Sequence, residues 1–251
     1  MSEEIIKICV DRVLEGQAEI KAAVAAIKEN PANAGVELDG QPIPGEQVLA
    51  AQKLWKPGRV LNIRFLGGNT IVQNKVEQIA RQWEKLTNLK FNFGDYDNAE
   101  IRIAFIPRIG SWSFVGTDCL NIPQDQPTMN LGWLTSETRD NEYNRVVLHE
   151  FGHALGCIHE HQHPLGDIPW DKPAVYRFYS GPPNNWSQDQ VARNLFQRYD
   201  KTMTQFSDFD PKSIMLYAVP NHLTTGDFET GWNEELSQTD KTFISKVYPS
   251  L

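Results

Sequence analysis

The sequence predicts an α+β fold, and three observations support that prediction. Short strand-like segments recur between residues 59 and 134. Two long helices, at 70–86 and 141–156, separate and follow these segments. The remainder of the chain is irregular and rich in Pro, Gly and Asn. At 251 residues and 40% hydrophobic content, the chain is long enough for one large domain, or for one domain with an attachment.

The N-terminal fifth of the chain is predicted to lie outside the main domain. Apolar residues at roughly helical spacing run through residues 4–28 and predict one or two helices. The sequence ENPANAG then breaks the pattern, and residues 36–50 hold two Pro and two Gly, as linkers do. We therefore expect a helical segment and linker over residues 1–50 and a single domain over residues 51–251.

The main domain is expected to begin with the sheet. Strands are predicted at residues 59–65, 89–93, 100–106, 111–116 and 128–134. Two further helices, at 187–199 and 237–248, are predicted within the irregular C-terminal part. Ser237 and Asp240 form a capping sequence at the start of the second one.

Charge and cysteine usage exclude several classes of function. The chain carries 24 basic and 32 acidic residues, and its net charge of −8 argues against nucleic acid or an anionic membrane as the main partner. No apolar run approaches the roughly 18 residues that a membrane span needs, and the N-terminus lacks the apolar core of an export signal. Cys9, Cys119 and Cys157 are too few for a disulfide framework, so we expect free thiols and a reducing compartment.

Five of the six histidines lie between Val146 and Pro164, and they predict a metal site. His149 and His153 stand four residues apart on the predicted helix. Both imidazoles therefore leave the same face, one turn apart, as two ligands of a single zinc ion require. Glu150 lies about 100° around the helix, where it can reach a metal-bound water without being a ligand.

A third ligand is predicted just after this helix. Gly156 ends the helix, because glycine readily takes the left-handed conformation that turns the chain, and His159 then approaches the same metal from another direction. The complete pattern is H-E-x-x-H-x-x-G-x-x-H. A closed structural zinc site fills four positions with Cys and His, whereas this pattern supplies three ligands and an acid. His161 and His163 are surplus, and we interpret them as loop residues.

A methionine motif follows further along the chain, where Met215 lies in the sequence SIMLY. With the histidine pattern, it resembles the Met-turn beneath the metal of metzincin peptidases. Further stretches are similar to the astacin family of zinc endopeptidases: Glu160 directly after the third histidine, SWSFVG at 111–116, KLWKPGRVLNIRF at 53–65, and LSQTDKTFISKVY near the C-terminus. The resemblance covers roughly residues 51–251, although the family's two disulfides have no counterparts here.

The resemblance implies a metzincin-like catalytic domain with a twisted mixed sheet, an active-site helix, and an irregular C-terminal part that carries the Met-turn and a closing helix. It implies a zinc metalloendopeptidase with one catalytic zinc ion held by His149, His153 and His159. Glu150 would be the general base for a metal-activated water, and Tyr217 a switchable fifth ligand that stabilises the oxyanion. The alternative is a catalytically silent peptide-binding module of the same fold. Such a module is expected to have lost Glu150 or a ligand, and this chain has kept all of them.

The resemblance also implies how the substrate binds. Ser113, Phe114, Val115 and Gly116 would form the edge strand to which an extended protein or peptide substrate adds. We expect a monomer. The family resemblance favours export, whereas the free thiols and the missing signal favour the cytoplasm.

Three interpretations of residues 1–50 stay open at this point. The resemblance implies an inhibitory pro-segment in which an Asp covers the zinc, and Asp39 has the matching residue type. Cys9 is a second candidate, since a thiolate binds zinc more strongly, although its place in an apolar helical stripe favours packing. The third interpretation is a permanent helical extension without contact to the metal.

Overall fold

The α+β class is confirmed by the computed structural model of the chain. The structure describes residues 9, 12–34, 52–163, 166–182, 184–197 and 209–250. Within them, five strands form one mixed sheet, and helices lie before, between and after the strands. None of the helices in these ranges is long and apolar enough to cross a bilayer. The linker predicted at 36–50, with Asp39, lies outside the described residues.

The strands are short and the helices are of moderate length. The strands are β1 (Val60–Phe65), β2 (Lys90–Phe93), β3 (Ile101–Ala104), β4 (Ser111–Ser113) and β5 (Met129–Leu131). The helices are α1 (Gln17–Glu29), α2 (Thr70–Glu84), α3 (Asp140–Ala154), α4 (Lys172–Ser180), α5 (Gln188–Val191) and α6 (Gln238–Val247). A π-helical turn (Ala192–Phe196) continues α5, and 3-10 turns lie at Pro31–Ala34, Gly116–Asn121, Glu160–Gln162 and Asn221–Leu223.

The sheet has the strand order β2-β1-β3-β5-β4. Strand β1 pairs in parallel with β2 and β3, and β3 pairs in parallel with β5. Parallel neighbours need a crossover connection, and α2 supplies it between β1 and β2. Strand β4 runs antiparallel to β5 and lies at the edge of the sheet. The strand predicted at 111–116 is therefore an edge strand, but it ends three residues earlier than expected.

Helices α2 and α3 pack together and fix the position of the predicted metal-binding helix. The buried stripe of α2 consists of Val72, Val76, Ala80 and Trp83, as its helical periodicity predicts. The Trp83 Nε1 atom donates a hydrogen bond to the backbone oxygen of Leu148 in α3 at 3.0 Å. This bond ties one turn of α3, directly before the first predicted ligand, to the core.

From Arg145 onward, helix α3 is buried on all sides. Every residue from Arg145 to Leu155 is buried, including His149, Glu150 and His153. Burying such polar groups costs free energy unless each one has a partner. The burial of His149, Glu150 and His153 therefore indicates that these side chains interact with partners in the interior.

The helix predicted over residues 4–28 is wrong at residues 9 and 12–16, and residues 4–8 lie outside the described residues. Helix α1 begins only at Gln17, after Gly16 with a φ of 60°. Cys9 and Arg12 are extended instead, and each forms an isolated parallel bridge to the edge of the sheet at β4. The edge of a sheet carries unpaired backbone groups that attract another strand. Helical periodicity within the segment gives no information about such a distant edge.

Residues 12–34 are joined to the main domain. Asn33 is buried, its Nδ2 atom donates to the backbone oxygen of Leu54 at 2.8 Å, and its Oδ1 atom accepts from the Leu54 amide at 3.0 Å. Helix α1 also packs against the 3-10 turn that follows β4. The N-terminal segment therefore has a docking surface of its own outside the predicted metal site.

The C-terminal part contains one helix that the sequence patterns did not reveal. Helix α4 begins after Asp171, whose side chain accepts from the amide of Ala174, and it buries Val175 and Tyr179. The Asp cap, the early Pro173 and the four-residue apolar spacing were the available signals. The helix predicted at 187–199 is shorter than expected, because a π-helical turn replaces it after Val191. The last helix and its capping box are confirmed.

Candidate metal centre

The three predicted histidine ligands meet at one point in the structure. The Nε2 atoms of His149 and His153 lie 3.1 Å apart, and the Nε2 atom of His159 lies 3.2 Å and 3.0 Å from them, respectively. Gly156 makes this possible, since it takes a φ of 97° and reverses the chain after α3. All three imidazoles are buried.

Hydrogen bonds on the other ring nitrogens fix the orientation of the imidazoles. Nδ1 of His149 lies 2.8 Å from the backbone oxygen of Ile214, and Nδ1 of His153 lies 2.9 Å from that of Cys157. A carbonyl oxygen only accepts, so both Nδ1 atoms carry the proton and both Nε2 atoms present a lone pair. This is the arrangement found in metal-ligating histidines.

Three lone pairs that face one another repel unless a cation lies between them. Tetrahedral zinc with Zn–N bonds of about 2.0–2.1 Å would separate two nitrogen ligands by about 3.3–3.4 Å, close to the distances seen here. Burial, and after it the neighbouring His153, lowers the pKa of both His149 and His159 well below its ordinary value. His149 and His159 are thus neutral and can bind a metal through their Nε2 atoms, and the site fits a zinc ion.

The thiol of Cys9 is the fourth potential ligand of this centre. Its Sγ atom and one nitrogen from each of His149, His153 and His159 all lie within 4.8 Å of one another. The expectation that Cys9 is packed is confirmed, but its expected place in a helical stripe is wrong. Its bridge to Ser111 of β4 carries it over the histidines instead.

Glu150 lies beside the centre, where the predicted general base is needed. The Glu150 side chain is buried, with the residue only 1% exposed, and its Oε2 atom is 3.4 Å from the Sγ atom of Cys9. Because Cys9 Sγ belongs to the ligand cluster, the carboxylate faces the position from which a fourth ligand would approach.

Tyr217 borders the centre but does not point at it. Its Oη atom donates to the backbone oxygen of Cys9 at 2.8 Å and lies 3.4 Å from Nδ1 of His159, the ring nitrogen that faces away from the cluster. The tyrosine ring packs on His159 and His161, with centroids 4.4 Å and 4.5 Å away, respectively. The structure thus brings Tyr217 next to the site in an orientation different from that of a fifth ligand.

The Met-turn lies against α3, and Gly152 is the residue that allows it to do so. A Cβ atom at position 152 would overlap the Sδ atom of Met215. Asp240 holds the turn from the other side, since its carboxylate accepts from the Ser213 hydroxyl at 2.7 Å and from the Ile214 amide at 2.9 Å. Sequence reasoning missed both roles. A glycine inside an otherwise strong helix was the available signal for the first.

Glu160 connects the third ligand to the Met-turn. Its backbone amide donates to the oxygen of Met215 at 3.0 Å, and its Oε1 atom accepts from the amide of Asp210 at 2.7 Å. Burial raises the pKa of Glu160 to about 7. The surplus histidines are buried as well: Nε2 of His161 lies 2.5 Å from the oxygen of Asn194, and His163 packs near Phe209.

The predicted substrate strand lies above this centre. Ser113 pairs with β5, and the Phe114 amide donates to the oxygen of Thr128 at 3.0 Å. Arg12 bridges to Phe114 from the opposite side. Val115 precedes the 3-10 turn that begins at Gly116, so the last three predicted strand residues, 114–116, lie outside β4.

A small pocket opens beside Glu150. Arg145 is the positively charged side chain that lines this pocket, and it lies one turn before His149 on α3. Sequence reasoning did not identify it. The guanidinium carbon of Arg145 lies 4.1 Å from the ring centroid of Trp232, and the same group forms two hydrogen bonds with Glu142 at 2.7 Å and 2.8 Å. This stack joins α3 to the C-terminal part at the mouth of the site.

A sequence model of the Astacin peptidase family matches residues 47–248. Among curated proteins, the zinc metalloproteinase dpy-31 of Caenorhabditis elegans is 26% identical over 204 residues, which are 78% of this chain and 32% of the relative. The relative of the same name from Teladorsagia circumcincta is also 26% identical over 78% of this chain and 31% of its own length. The chain spans about a third of the length of these curated relatives.

Solved structures show the same similarity. A structure of myroilysin is 48% identical, with a TM-score of 0.78, over 79% of this chain and 97% of the other. A second crystal structure of myroilysin is 43% identical over 88% and 96% of the two chains, with a TM-score of 0.63. High choriolytic enzyme 1 of Oryzias latipes, a hatching enzyme zinc-protease, shares the fold with a TM-score of 0.55 at 18% identity over 79% and 96% of the two chains.

Proposed function

Since the chain belongs to the astacin family of peptidases, we propose that it is a zinc-dependent endopeptidase that hydrolyses peptide bonds in protein or peptide substrates. The observation that carries this proposal is the convergence of three buried imidazoles, two of them on one central helix, beside a buried carboxylate of that helix. A catalytically silent module would be free to lose the carboxylate or a ligand, and this chain retains them all.

We assign zinc binding to His149, His153 and His159. When bound there, zinc supplies a lowered pKa for a coordinated water and polarisation of the peptide carbonyl. Glu150 is the proposed general base, which takes a proton from the attacking water and delivers it to the leaving amine. Its proximity to Cys9 Sγ, itself within the ligand cluster, supports this role.

Tyr217 is the proposed donor to the oxyanion that forms during peptide hydrolysis. Its Oη atom already acts as a donor, to the backbone oxygen of Cys9 at 2.8 Å. Release of that oxygen would free the hydroxyl for the substrate. Its packing on His159 and His161 supports a position close to the reacting carbonyl.

The substrate is proposed to bind as an extended strand beside β4, along Ser113, Phe114, Val115 and Gly116. Two features support this: β4 is the edge of the sheet, and the chain's own N-terminal segment already bridges to it. Backbone hydrogen bonds then align the peptide, and the pocket beside Glu150 receives one of its side chains. Residues 51–251 would form this catalytic domain, and residues 1–50 a separate N-terminal segment.

The proposal is tested with Glu150→Gln and the matched surface variant Glu137→Gln in the full chain. Because Cys9 lies in the site, each variant is made both in the native sequence and with Cys9→Ala. We expect about one zinc per chain in every form and casein cleavage lowered by roughly 10³-fold or more only by Glu150→Gln. The chelator 1,10-phenanthroline should abolish cleavage. Cleavage by Glu150→Gln at the rate of its control would contradict the role of the base.

A further inference from the structure

We infer that the loop between β3 and β4, residues 105–110, is a second subsite of the proposed peptidase, which binds an apolar side chain of the substrate at a fixed distance from the cleaved bond. The inference rests on the proposed function, because it concerns how the same site selects its substrates. It adds Ile106 and Ile109 to the residues that determine specificity. The partner is the peptide substrate itself, and the feature selected is an Ile, Leu or Phe side chain.

The loop continues the strand proposed for the substrate. It ends at Gly110, directly before Ser111, the first residue of β4. Ser111 marks the level of the metal centre along this strand, because it bridges to Cys9, whose sulfur atom belongs to the cluster of potential ligands. A strand advances about 3.3 Å per residue, so a peptide that runs along β4 and continues across the centre would reach Ile109 about 7 Å past the metal position.

The loop and the pocket beside Glu150 lie on the same side of the centre. Strand β5 runs antiparallel to β4 with Leu131 opposite Ser111, so the residues after Leu131 lie beside the residues before Ser111. Trp133, which lines the pocket, is two places after Leu131 and is thus level with Ile109. The substrate residue that enters the pocket and the one that reaches the loop are therefore on the same side of the cleaved bond.

A buried asparagine of β5 holds the loop in one conformation. The side chain of Asn130 has no exposed surface, and it hydrogen-bonds to the loop backbone at both ends. Its Oδ1 atom accepts from the Ile106 amide at 2.8 Å, and its Nδ2 atom donates to the oxygens of Ile106 at 3.1 Å and Gly110 at 2.6 Å. A satisfied polar group in the interior rigidifies the segments that it joins, so the loop is clamped to the strand beneath it.

The loop also lies close to β5 and contains a strained residue. A Cβ atom at Gly132 would overlap the backbone oxygens of Gly110 and Ile106, so the absence of a side chain at position 132 allows this close approach. At the tip, Arg108 has a φ of 68°, a left-handed conformation that is unfavourable for a residue with a side chain. Such strain persists only where the surroundings fix it, and it concentrates at functional sites.

The clamped loop presents apolar surface beside the path of the substrate. Ile106 is 45% exposed and Ile109 is 44% exposed. Single exposed apolar residues are common and need no explanation. These two, however, lie three residues apart on a rigid loop that continues β4, which is why the substrate is the occupant that fits them. An apolar side chain that covers them leaves water together with them, and the ordered loop loses little conformational entropy on binding.

The test uses the zinc-loaded full chain, both in the native sequence and with Cys9→Ala, because Cys9 lies in the site. Internally quenched peptide pools vary one position at a time, from three residues before the cleaved bond to three residues after it. At one position, two or three residues from the bond, we expect kcat/KM to be about tenfold higher for Ile, Leu or Phe than for Ser or Asn. This position should lie on the side where Trp232→Ala, a change in the pocket lining, alters the preference next to the bond.

Variants of the loop identify the responsible side chains. Ile109→Ser and Ile106→Ser should each lower the apolar preference, and the double variant should abolish it. Ile109→Lys should instead favour Asp and Glu at the same position, and Ile109→Glu should favour Lys and Arg, a reversal that a loss of stability cannot produce. Val60→Ser is the matched control, because Val60 is 48% exposed at the start of β1, whereas the loop follows the end of the parallel strand β3.

The outcomes separate this inference from the proposed function. Equal preferences in wild type, Ile109→Ser and Ile109→Lys, or an equal loss of cleavage in all pools, would overturn the subsite and leave the peptidase standing. The subsite is also overturned if the double variant keeps the wild-type profile but has a lower molecular mass in sedimentation, since the isoleucines would then join copies of the chain. If no zinc-loaded form cleaves any pool, the proposed function fails, and the subsite fails with it.

Discussion

The metal centre lies between two regions that are built in different ways. On one side, α3 is embedded in a continuous core that also contains the sheet and α2. On the other side, part of the C-terminal region packs in two small clusters, one around Tyr217 and one around Leu216, whereas Ile214 and Met215 of the Met-turn belong to the large core. The large core supplies two ligands, the proposed base and the support of the Met-turn, and the small clusters supply the proposed oxyanion donor. The ligands and the base, which need fixed positions, are thus held by the large core. The proposed oxyanion donor, which is expected to move, lies in a small cluster.

Few direct bonds join the two regions at the centre. His149 donates to the oxygen of Ile214, and the Glu160 amide donates to the oxygen of Met215. The stack of Arg145 on Trp232 adds to them, and a bound metal would connect the regions further, because His159 lies after α3 on the loop that leads into the C-terminal part. The regions should therefore respond unequally when one of these connections is lost.

Removal of zinc is expected to have the largest effect on this junction. Metal that is present at a thousandfold excess over its dissociation constant stabilises the fold by about 4 kcal/mol, and a chelator removes that contribution. Hydrogen exchange should then rise more in residues 209–223 than in β1 and β3. A His153→Ala variant should show no further change on chelation. Equal loss of protection in both regions would contradict the comparison.

The second prediction concerns Tyr217, the proposed oxyanion donor. Tyr217→Phe, made together with Cys9→Ala, should lower kcat by about 10²–10³-fold and change KM less, because one oxyanion donor is lost. Zinc content should stay constant. Tyr176→Phe, in the same cluster but away from the centre, is the control. An unchanged kcat in Tyr217→Phe would remove the tyrosine from the mechanism.

The same contrast explains how much of the molecule the sequence predicts. The strands, α2, α3 and the three histidine ligands follow from local periodicity and spacing, because their positions depend on residues a few places apart. The position of Cys9 depends on a strand about a hundred residues later in the chain, and helical periodicity misled us there. The contact between Gly152 and Met215, and the double role of Asp240, likewise join residues that only the folded chain brings together.

The third prediction tests how tightly the Met-turn packs on α3. Gly152→Ala should destabilise the protein by about 1–3 kcal/mol, because the new methyl group overlaps Met215 Sδ. In combination with Met215→Ala, which removes the obstructing sulfur, the cost of the alanine should disappear. Gly181→Ala, where an added Cβ meets only ordinary contacts, is the control. Urea unfolding of the four variants measures the coupling. A cost that persists without the methionine would show that the overlap is not its cause.

The smallest expected effect separates two roles of Asp240. Asp240→Ala should cost about 2 kcal/mol, since it removes the carboxylate that accepts from the Ser237 amide at the start of α6 and the bonds to the Met-turn. Ser237→Ala should cost about 1 kcal/mol, since it removes only a cap. Zinc affinity should fall in the first variant alone. If Asp240→Ala and Ser237→Ala lost the same stability and the same zinc affinity, the bonds from Asp240 to the Met-turn would have no measurable role.

The bridges of Cys9 and Arg12 have a consequence for solubility. They cover the outer edge of β4, and an uncovered edge strand invites pairing with another protein molecule. A chain that keeps this segment in place therefore resists self-association through that edge. A form that lacks the segment would offer the same strand to substrates and to neighbouring copies alike, so it is expected to aggregate sooner than the full chain.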